Sequence, residues 1–180
     1  MSYSSYLPSR TEQKLKYAQV HIQELQNYAS ATSNDTWENA HQESVFYHLA
    51  GVIDCIYQDI NRGHDLGLEI DEVNRNNVRR KLTESEVVSE AFNFIEELRN
   101  CEESWLNVLL EWRNHGAHRA RVSKIVLSEG ENKFRDPRTN EYPEVFEREN
   151  LGCMGVIKRL EKEIISLIDN CRTVDEMIKP

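Results

Sequence analysis

Apolar residues recur at alternating intervals of three and four in four long segments of the chain. An α-helix has 3.6 residues per turn, so this spacing places the apolar side chains of each segment on one face. Helices that carry such faces bury them by packing side by side. We therefore predict an all-α fold, an antiparallel bundle of four main helices.

The starts and apolar stripes of these helices can be located in the sequence. A Ser, Thr or Asp followed three residues later by Glu is a reciprocal N-terminal cap. The first three helices are predicted to begin at Ser9-x-x-Glu12, Asp35-x-x-Glu38 and Thr83-x-x-Glu86. The stripes run from Leu15 to Ala29, from Trp37 to Ile60, from Val88 to Trp112 and from Ile157 to Ile178. Gly63 is expected to end the second helix, and the third stays periodic for about seven turns.

Two connections are long enough to contain structure of their own. Between Gly63 and Thr83 we predict a short extra helix around Asp71 to Lys81. Residues 122–150 begin with β-branched residues, continue through a Glu-Gly-Glu-Asn turn and contain two prolines. Long structureless loops are uncommon in compact domains, so we predict an irregular or β-hairpin excursion before the last helix. Residues 1–180 are expected to form a single domain with this insertion.

The composition indicates a soluble globular domain. Hydrophobic residues make up 39% and charged residues 29% of the 180 residues, a composition closer to a helical globular domain than to a disordered chain. The four cysteines are far apart, with no C-x-x-C pair, and indicate neither a zinc site nor a disulfide framework. No secretory leader and no run of about 18 apolar residues is visible. We expect a cytoplasmic protein with reduced thiols and no membrane contact.

Charge is distributed unevenly along the chain. The formal net charge is −9, which argues against broad, non-specific binding of nucleic acid. Residues 111–124 are an exception. They carry the basic residues Arg113, Arg119, Arg121 and Lys124 against the single acid Glu111.

This basic segment opens with the sequence RNHGAH, from Arg113 to His118, directly after the third apolar stripe. Gly116 weakens a helix, so the segment is either the last turn of the third helix or a kink beside it. A break at Gly116 would let Arg113, Asn114 and His118 converge. In an unbroken helix, Arg113 and His118 would point in different directions.

These residue types suit metal-free cleavage of RNA. Arginine offers a planar, charged fork for phosphate oxygens and for the negative charge that develops on phosphorus. Histidine transfers protons in either direction near neutral pH. Asparagine holds a phosphate or a histidine in place by hydrogen bonds. The expected reaction is a transesterification that leaves a 2′,3′-cyclic phosphate.

The RNHGAH segment resembles the Arg-Asn-x-x-x-His form of the R-x(4–6)-H motif of HEPN domains. These are helical bundles found in prokaryotic toxins, defence effectors and some eukaryotic RNases. The resemblance implies a homodimer in which Arg113 and His118 of both copies line one cleft as the catalytic pair, with Asn114 beside them. Some toxin members carry a tyrosine two residues after the histidine, which a nucleotidyltransferase antitoxin modifies. Ala120 stands at that position here.

The leading hypothesis is therefore a HEPN-like RNA-binding protein that acts as a metal-independent endoribonuclease of a toxin or defence system. It requires no cofactor, and its expected partners are a second copy, RNA and a cognate antitoxin or other protein. Arg113, Asn114 and His118 are the predicted catalytic residues. The predicted RNA-binding residues are Trp112, His115, Arg119, Arg121 and Lys124.

Several alternatives remain open. The basic residues could simply mark a solvated helix C-terminus, where positive charge is favourable. The acidic remainder of the chain suits a catalytically silent protein-interaction module. A histidine-ligated metal site is a further alternative. Glu38-x-x-His41 is half of a di-iron pattern, and no second Glu-x-x-His occurs. His41, His48 and His115 or His118 could instead form a mononuclear site. The three tryptophans fall on the periodic stripes and are expected to anchor the core.

Overall fold

A computed structural model describes residues 9–28, 35–118, 124–126 and 132–178. The all-α prediction is confirmed. The α-helices are α1 (Arg10–Tyr28), α2 (Asp35–Gly63), α3 (Arg75–Glu84), α4 (Glu90–Asn100), α5 (Trp105–His118), α6 (Glu144–Glu147) and α7 (Cys153–Val174). A 3₁₀ turn (Glu176–Ile178) follows α7, and two short strands, β1 (Lys124–Val126) and β2 (Asn132–Phe134), precede α6.

Helices α1 and α2 pack against each other in antiparallel orientation. Near the start of α1, the Thr11 hydroxyl donates to Asp59 Oδ2 at 2.9 Å. Near the end of α1, His21 Nδ1 and His41 Nδ1 are 3.0 Å apart. The sequence positions that meet therefore increase along α1 while they decrease along α2.

Helix α7 also packs against α1 in antiparallel orientation. Gln19 Nε2 donates to Glu161 Oε1 at 2.9 Å, and Arg172 Nη2 lies 3.4 Å from Glu12 Oε1. These two pairs again run in opposite directions along their helices. The apolar side of α7 is buried, from Val156 to Cys171.

The predicted cap of α1 is confirmed in both of its hydrogen bonds. The Glu12 backbone N–H donates to Ser9 Oγ at 3.3 Å, and the Ser9 backbone N–H donates to Glu12 Oε2 at 3.2 Å. Helix α2 begins at Asp35 and ends at Gly63, as predicted. An added Cβ at Gly63 would lie 2.2 Å from the Met177 carbonyl oxygen, so only glycine allows the C-terminal 3₁₀ turn to approach this closely.

The prediction of one continuous third helix is wrong, because the structure divides this stretch into α4 and α5. The side chain of Asn107 donates to the carbonyl oxygens of Arg99 (2.8 Å) and Cys101 (2.7 Å), which lie at the end of α4. The hydroxyl of Ser104 accepts from the Asn107 N–H at 3.2 Å. These side chains satisfy backbone groups that a continuous helix would have paired.

The predicted start of this helix at Thr83 is also wrong. Thr83 lies inside α3, the short extra helix, which is present at Arg75–Glu84. Helix α4 begins seven residues later and is capped by Ser89, whose hydroxyl accepts from the Phe92 N–H at 3.2 Å.

The predicted excursion contains a hairpin and contributes to the core. β1 and β2 pair in antiparallel register, with Lys124 opposite Phe134. The aromatic rings of Phe134 and Phe146 lie 5.3 and 6.1 Å from that of Trp112, and Phe46 of α2 lies 5.1 Å from it. All four side chains are fully or almost fully buried. The insertion therefore covers one side of α5.

A buried polar network joins the ends of α2 and α7 to the start of α4. His64 Nε2 donates to Asp175 Oδ2 at 2.9 Å, and the Ser89 hydroxyl donates to the same oxygen at 2.6 Å. Burial alone would raise the pKa of Asp175, but the hydrogen bonds from Ser89 and His64 lower it below its usual value. Folding therefore favours the ionised carboxylate.

We predict that Asp175→Asn lowers the free energy of unfolding by about 1–3 kcal/mol at pH 7, because it weakens two buried hydrogen bonds to a carboxylate. The pKa of Asp175 is lowered in the folded state, so its contribution to stability is present above the unfolded value of about 3.9 and is lost as the pH falls below it.

Urea unfolding at several pH values measures this pH dependence of stability. The difference between parent and variant should shrink in acid, while Asp169→Asn, at an exposed position of α7, should show little difference at any pH. A difference that stays constant with pH would contradict the role of the ionised form.

Candidate functional site

An open groove runs between α2 and α5, beside the predicted motif. Its volume is about 440 Å³. The two helices are antiparallel here, because Arg113 faces Asp54 and Gly116 faces Glu43. The groove is lined by Ala40, Glu43, Ser44, Tyr47, His48, Trp112, Arg113 and Gly116.

Arg113 presents donors that the protein does not use. Its side chain is 29% exposed, and Nη2 lies 3.9 Å from Asp54 Oδ2, which is beyond hydrogen-bonding distance. Its Nε is buried and has no hydrogen-bond partner among the described residues. Asp54 is itself 60% exposed, so the Arg113 charge is only weakly compensated.

Helix α5 continues through Gly116 to His118, so the helix does not break within the motif. Position 118 is five residues after Arg113 and is rotated by about 140° from it around the helix axis. Asn114 is exposed and does not line the groove. The structure therefore separates Arg113 from the positions of Asn114 and His118 within one chain. The side chain of His118 lies outside what the structure describes, as do Arg119 and Arg121.

The other predicted RNA-binding residues lie in three different environments. Trp112 is 0% exposed, and its indole N–H donates to the Arg135 carbonyl oxygen at 2.7 Å. It therefore offers no ring face to a base, and it anchors the core as the periodic pattern predicted. Lys124 Nζ forms an ion pair with Glu38 Oε1 at 2.9 Å. His115 is half-buried on α5.

Histidines from α1 and α2 form a cluster at the edge of the groove. The rings of His21 and His48 are stacked with centroids 5.7 Å apart, and His21 also contacts His41. Burial lowers the pKa of His48, and the charge of Lys14 lowers it further. His48 is therefore neutral near pH 7, and its buried Nδ1 has no hydrogen-bond partner in the part of the chain that the structure describes. Sequence reasoning identified His41 and His48 but missed His21, whose partners are on another helix.

The proposed metal half-site is occupied by other contacts. Glu38 Oε1 accepts from Gln42 Nε2 at 2.7 Å and from Lys124 Nζ at 2.9 Å. Within the described part of the chain, no three His, Cys, Asp or Glu side chains are placed to hold a metal ion.

Comparison with protein-family models, with curated proteins and with solved structures finds no match to this chain. Among the described residues, no helix combines the length and the apolar character needed to cross a membrane.

We predict that Gly116→Ala stabilises the protein by about 0.5–1 kcal/mol, because glycine is costly inside a helix. The added Cβ would meet Glu43 Cγ at 3.5 Å, an ordinary contact. Gly67→Ala is a matched control with the opposite sign, since Gly67 has a φ of 71°. Urea unfolding measures both. Destabilisation by Gly116→Ala would show that the native backbone departs from a helix at this position.

Proposed function

We propose that this protein is a HEPN-like RNA-binding protein that holds an RNA phosphate on Arg113 in the α2–α5 groove. The observation that carries the proposal is the state of Arg113. Among the described residues, no acceptor pairs with its buried Nε, and the nearest carboxylate oxygen is 3.9 Å from Nη2. A buried donor atom that has no acceptor is costly unless a ligand supplies one. A phosphate matches its planar fork.

Tyr47 favours single-stranded RNA as the ligand. It lines the same groove as Arg113, and the residue is 54% exposed. A base that is not paired in a duplex can stack on such a ring while its phosphate is bound by arginine. Lys14 Nζ lies 4.9 Å from the centre of the Tyr47 ring and adds positive charge at the rim.

We further propose that the bound RNA is cleaved without a metal. A base removes the proton of the 2′-hydroxyl, the 2′-oxygen attacks phosphorus, and the 5′-oxygen leaves with a proton from an acid. Arg113 would stabilise the negative charge on the phosphate oxygens, and His118 would transfer a proton. Position 118 is turned away from Arg113 in the same helix. The His118 that acts on a phosphate held by Arg113 would therefore come from the second copy of a homodimer. Such an activity suits a toxin or defence effector restrained by an antitoxin.

We predict that Arg113→Gln weakens the binding of a short single-stranded oligoribonucleotide by about tenfold or more, which corresponds to at least ~1.4 kcal/mol. The slope of log affinity against log salt should also fall by ~0.7, because one phosphate contact is lost. Fluorescence anisotropy of a labelled RNA at several salt concentrations measures both.

Arg62→Gln is the matched control for charge, because Arg62 is 70% exposed and pairs with Asp59 away from the groove. Arg113→Lys keeps the charge and loses the fork, and it should bind RNA with intermediate affinity. If Arg113→Gln and Arg62→Gln have the same effect, Arg113 is not the phosphate ligand.

We predict that the parent protein cleaves RNA in excess chelator to products with a 2′,3′-cyclic phosphate, and that Arg113→Gln and His118→Ala do not. A mixture of the two inactive variants should recover activity, because one of the two sites in a mixed dimer then contains an intact arginine and an intact histidine. Recovery is measured after the dimers have exchanged subunits. Two inactive variants that do not complement each other would contradict a cleft shared between copies, and intact RNA with the parent would contradict cleavage altogether.

A second candidate is a catalytically silent protein-interaction module. Tyr17, Val20 and Tyr47 are each more than half exposed on α1 and α2, and the rings of both tyrosines contact His48. Such exposed apolar groups are typical of protein contacts. RNA that neither binds nor is cleaved would favour this candidate over the first.

A further inference from the structure

The α2–α5 groove contains two opposite charges that do not pair with each other. Arg113 and Glu43 both line it. Among the described residues, Arg113 forms its only ion pair with Asp54, at 3.9 Å. No described residue donates a hydrogen bond to the half-buried Glu43 or forms an ion pair with it. A ligand in the groove therefore meets a carboxylate, which only accepts hydrogen bonds, as well as a guanidinium, which only donates them.

The other polar side chains of the groove compete little with Glu43 for a donor on a ligand. The Ser44 hydroxyl donates to the Ala40 carbonyl oxygen at 2.8 Å. Burial lowers the pKa of His48, so its ring carries no charge near pH 7. The Glu43 carboxylate is therefore the strongest acceptor that the groove offers.

Glu43 lies one helical turn away from the aromatic ring and the guanidinium. Glu43 and Tyr47 are four residues apart on α2, so they share one face of the helix. Glu43 packs against Gly116, where an added Cβ would meet its Cγ at 3.5 Å. Arg113 is one turn before Gly116 on α5. Because the two helices are antiparallel, Tyr47 and Arg113 lie next to each other, and Glu43 lies towards one end of the groove.

This order of groups matches the order of groups in a nucleotide. A nucleotide carries hydrogen-bonding atoms on the edge of its base, then the flat face of the base, then a phosphate. Glu43, Tyr47 and Arg113 can bind these three parts in turn. The groove volume of about 440 Å³ falls within the range of about 300–1,000 Å³ that is usual for small-molecule sites.

The carboxylate favours one base over the other three. The two oxygens of a carboxylate accept best from two neighbouring donors. Guanine has such a pair, N1–H and the N2 amino group. Adenine and cytosine each have an amino group beside a ring nitrogen that is itself an acceptor, and the N3–H of uracil lies between two carbonyl oxygens. Only guanine presents two donors without turning an acceptor towards the carboxylate.

We propose that Glu43 selects guanine in the α2–α5 groove. Its carboxylate accepts from N1–H and N2–H of a guanine that stacks on Tyr47, while the phosphate of the same nucleotide lies on Arg113. This inference rests on the proposed function and names its substrate class, single-stranded RNA with an accessible guanosine. A free guanine nucleotide offers the same chemistry to the groove.

The test measures the affinity of the full chain for labelled short oligouridylates that carry one central substitution, by fluorescence anisotropy. The parent should bind the oligonucleotide with a central guanosine about tenfold or more tighter than those with adenosine, cytidine or uridine. Inosine lacks the N2 amino group and should lose part of this preference, and N1-methylguanosine should lose all of it. With 7-deazaguanosine, whose altered atom lies away from this edge, the preference should remain.

Glu43→Gln should abolish the preference for guanosine. This variant should bind the unsubstituted oligouridylate as well as the parent or better, because a negative charge near the phosphate is removed, and this binding shows that the variant is folded. Glu97→Gln is the matched control, since Glu97 is exposed on α4 and does not line the groove; it should keep the preference. Equal affinity of the parent for all four nucleotides, or a preference that survives Glu43→Gln, would overturn the inference.

Further arms of the experiment separate this inference from the proposed function. Arg113→Gln should weaken the binding of every oligonucleotide by a similar factor and leave the preference for guanosine, because it removes a phosphate contact. If the parent binds RNA through Arg113 without any base preference, the inference fails and the proposed function stands. Calorimetry with guanosine monophosphate identifies the source of the base. If the parent binds this nucleotide but no RNA, and Glu43→Gln loses it, the proposed function fails and the guanine site stands.

Discussion

The burial of Trp112 is the interaction on which the site depends. Its ring packs against Phe46 of α2 and Phe134 of β2, and its N–H donates to the Arg135 carbonyl oxygen. These contacts set the rotation of α5 about its own axis. Successive helical residues are about 100° apart, so a tryptophan that faces the core places Arg113 at the edge of the core, in the groove. The insertion between α5 and α7 thus orients Arg113, while its described residues line no part of the groove.

Apolar periodicity predicted most of the helices, but it did not predict where one stripe changes helix. Helix α1 with its Ser9 cap and the end of α2 at Gly63 were visible in the sequence. The short helix predicted around Asp71 to Lys81 is present at Arg75–Glu84. The break between α4 and α5 was not, because no glycine or proline marks it. Ser104 and Asn107 make it with side-chain hydrogen bonds, and the stripe stays in phase across it.

The candidate site was only partly predictable, for a related reason. Arg113 was found because it belongs to a local motif. His21 and Tyr47 belong to no motif. His21 stacks on His48 because α1 packs against α2, and Tyr47 lies in one groove with Arg113 because α2 packs against α5. A stripe indicates which face of a helix is buried but not which helix covers it, so clusters drawn from several helices become visible only in three dimensions. Val88 and Val174 are exposed for the same reason. Each lies near an end of its apolar stripe, outside the region where the helices pack together.

The pairing of Asp175 with His64 has a consequence for the order in which the chain assembles. These residues are 111 positions apart, and Arg172 and Glu12 are 160 apart, whereas α1 and α2 are neighbours in sequence. Contacts between distant residues carry a larger entropic cost of loop closure and tend to form late. Since synthesis proceeds from the N-terminus, the α1–α2 hairpin emerges from the ribosome with one side of α2 uncovered. That apolar surface stays available to chaperones until the later helices α5 and α7 have been made.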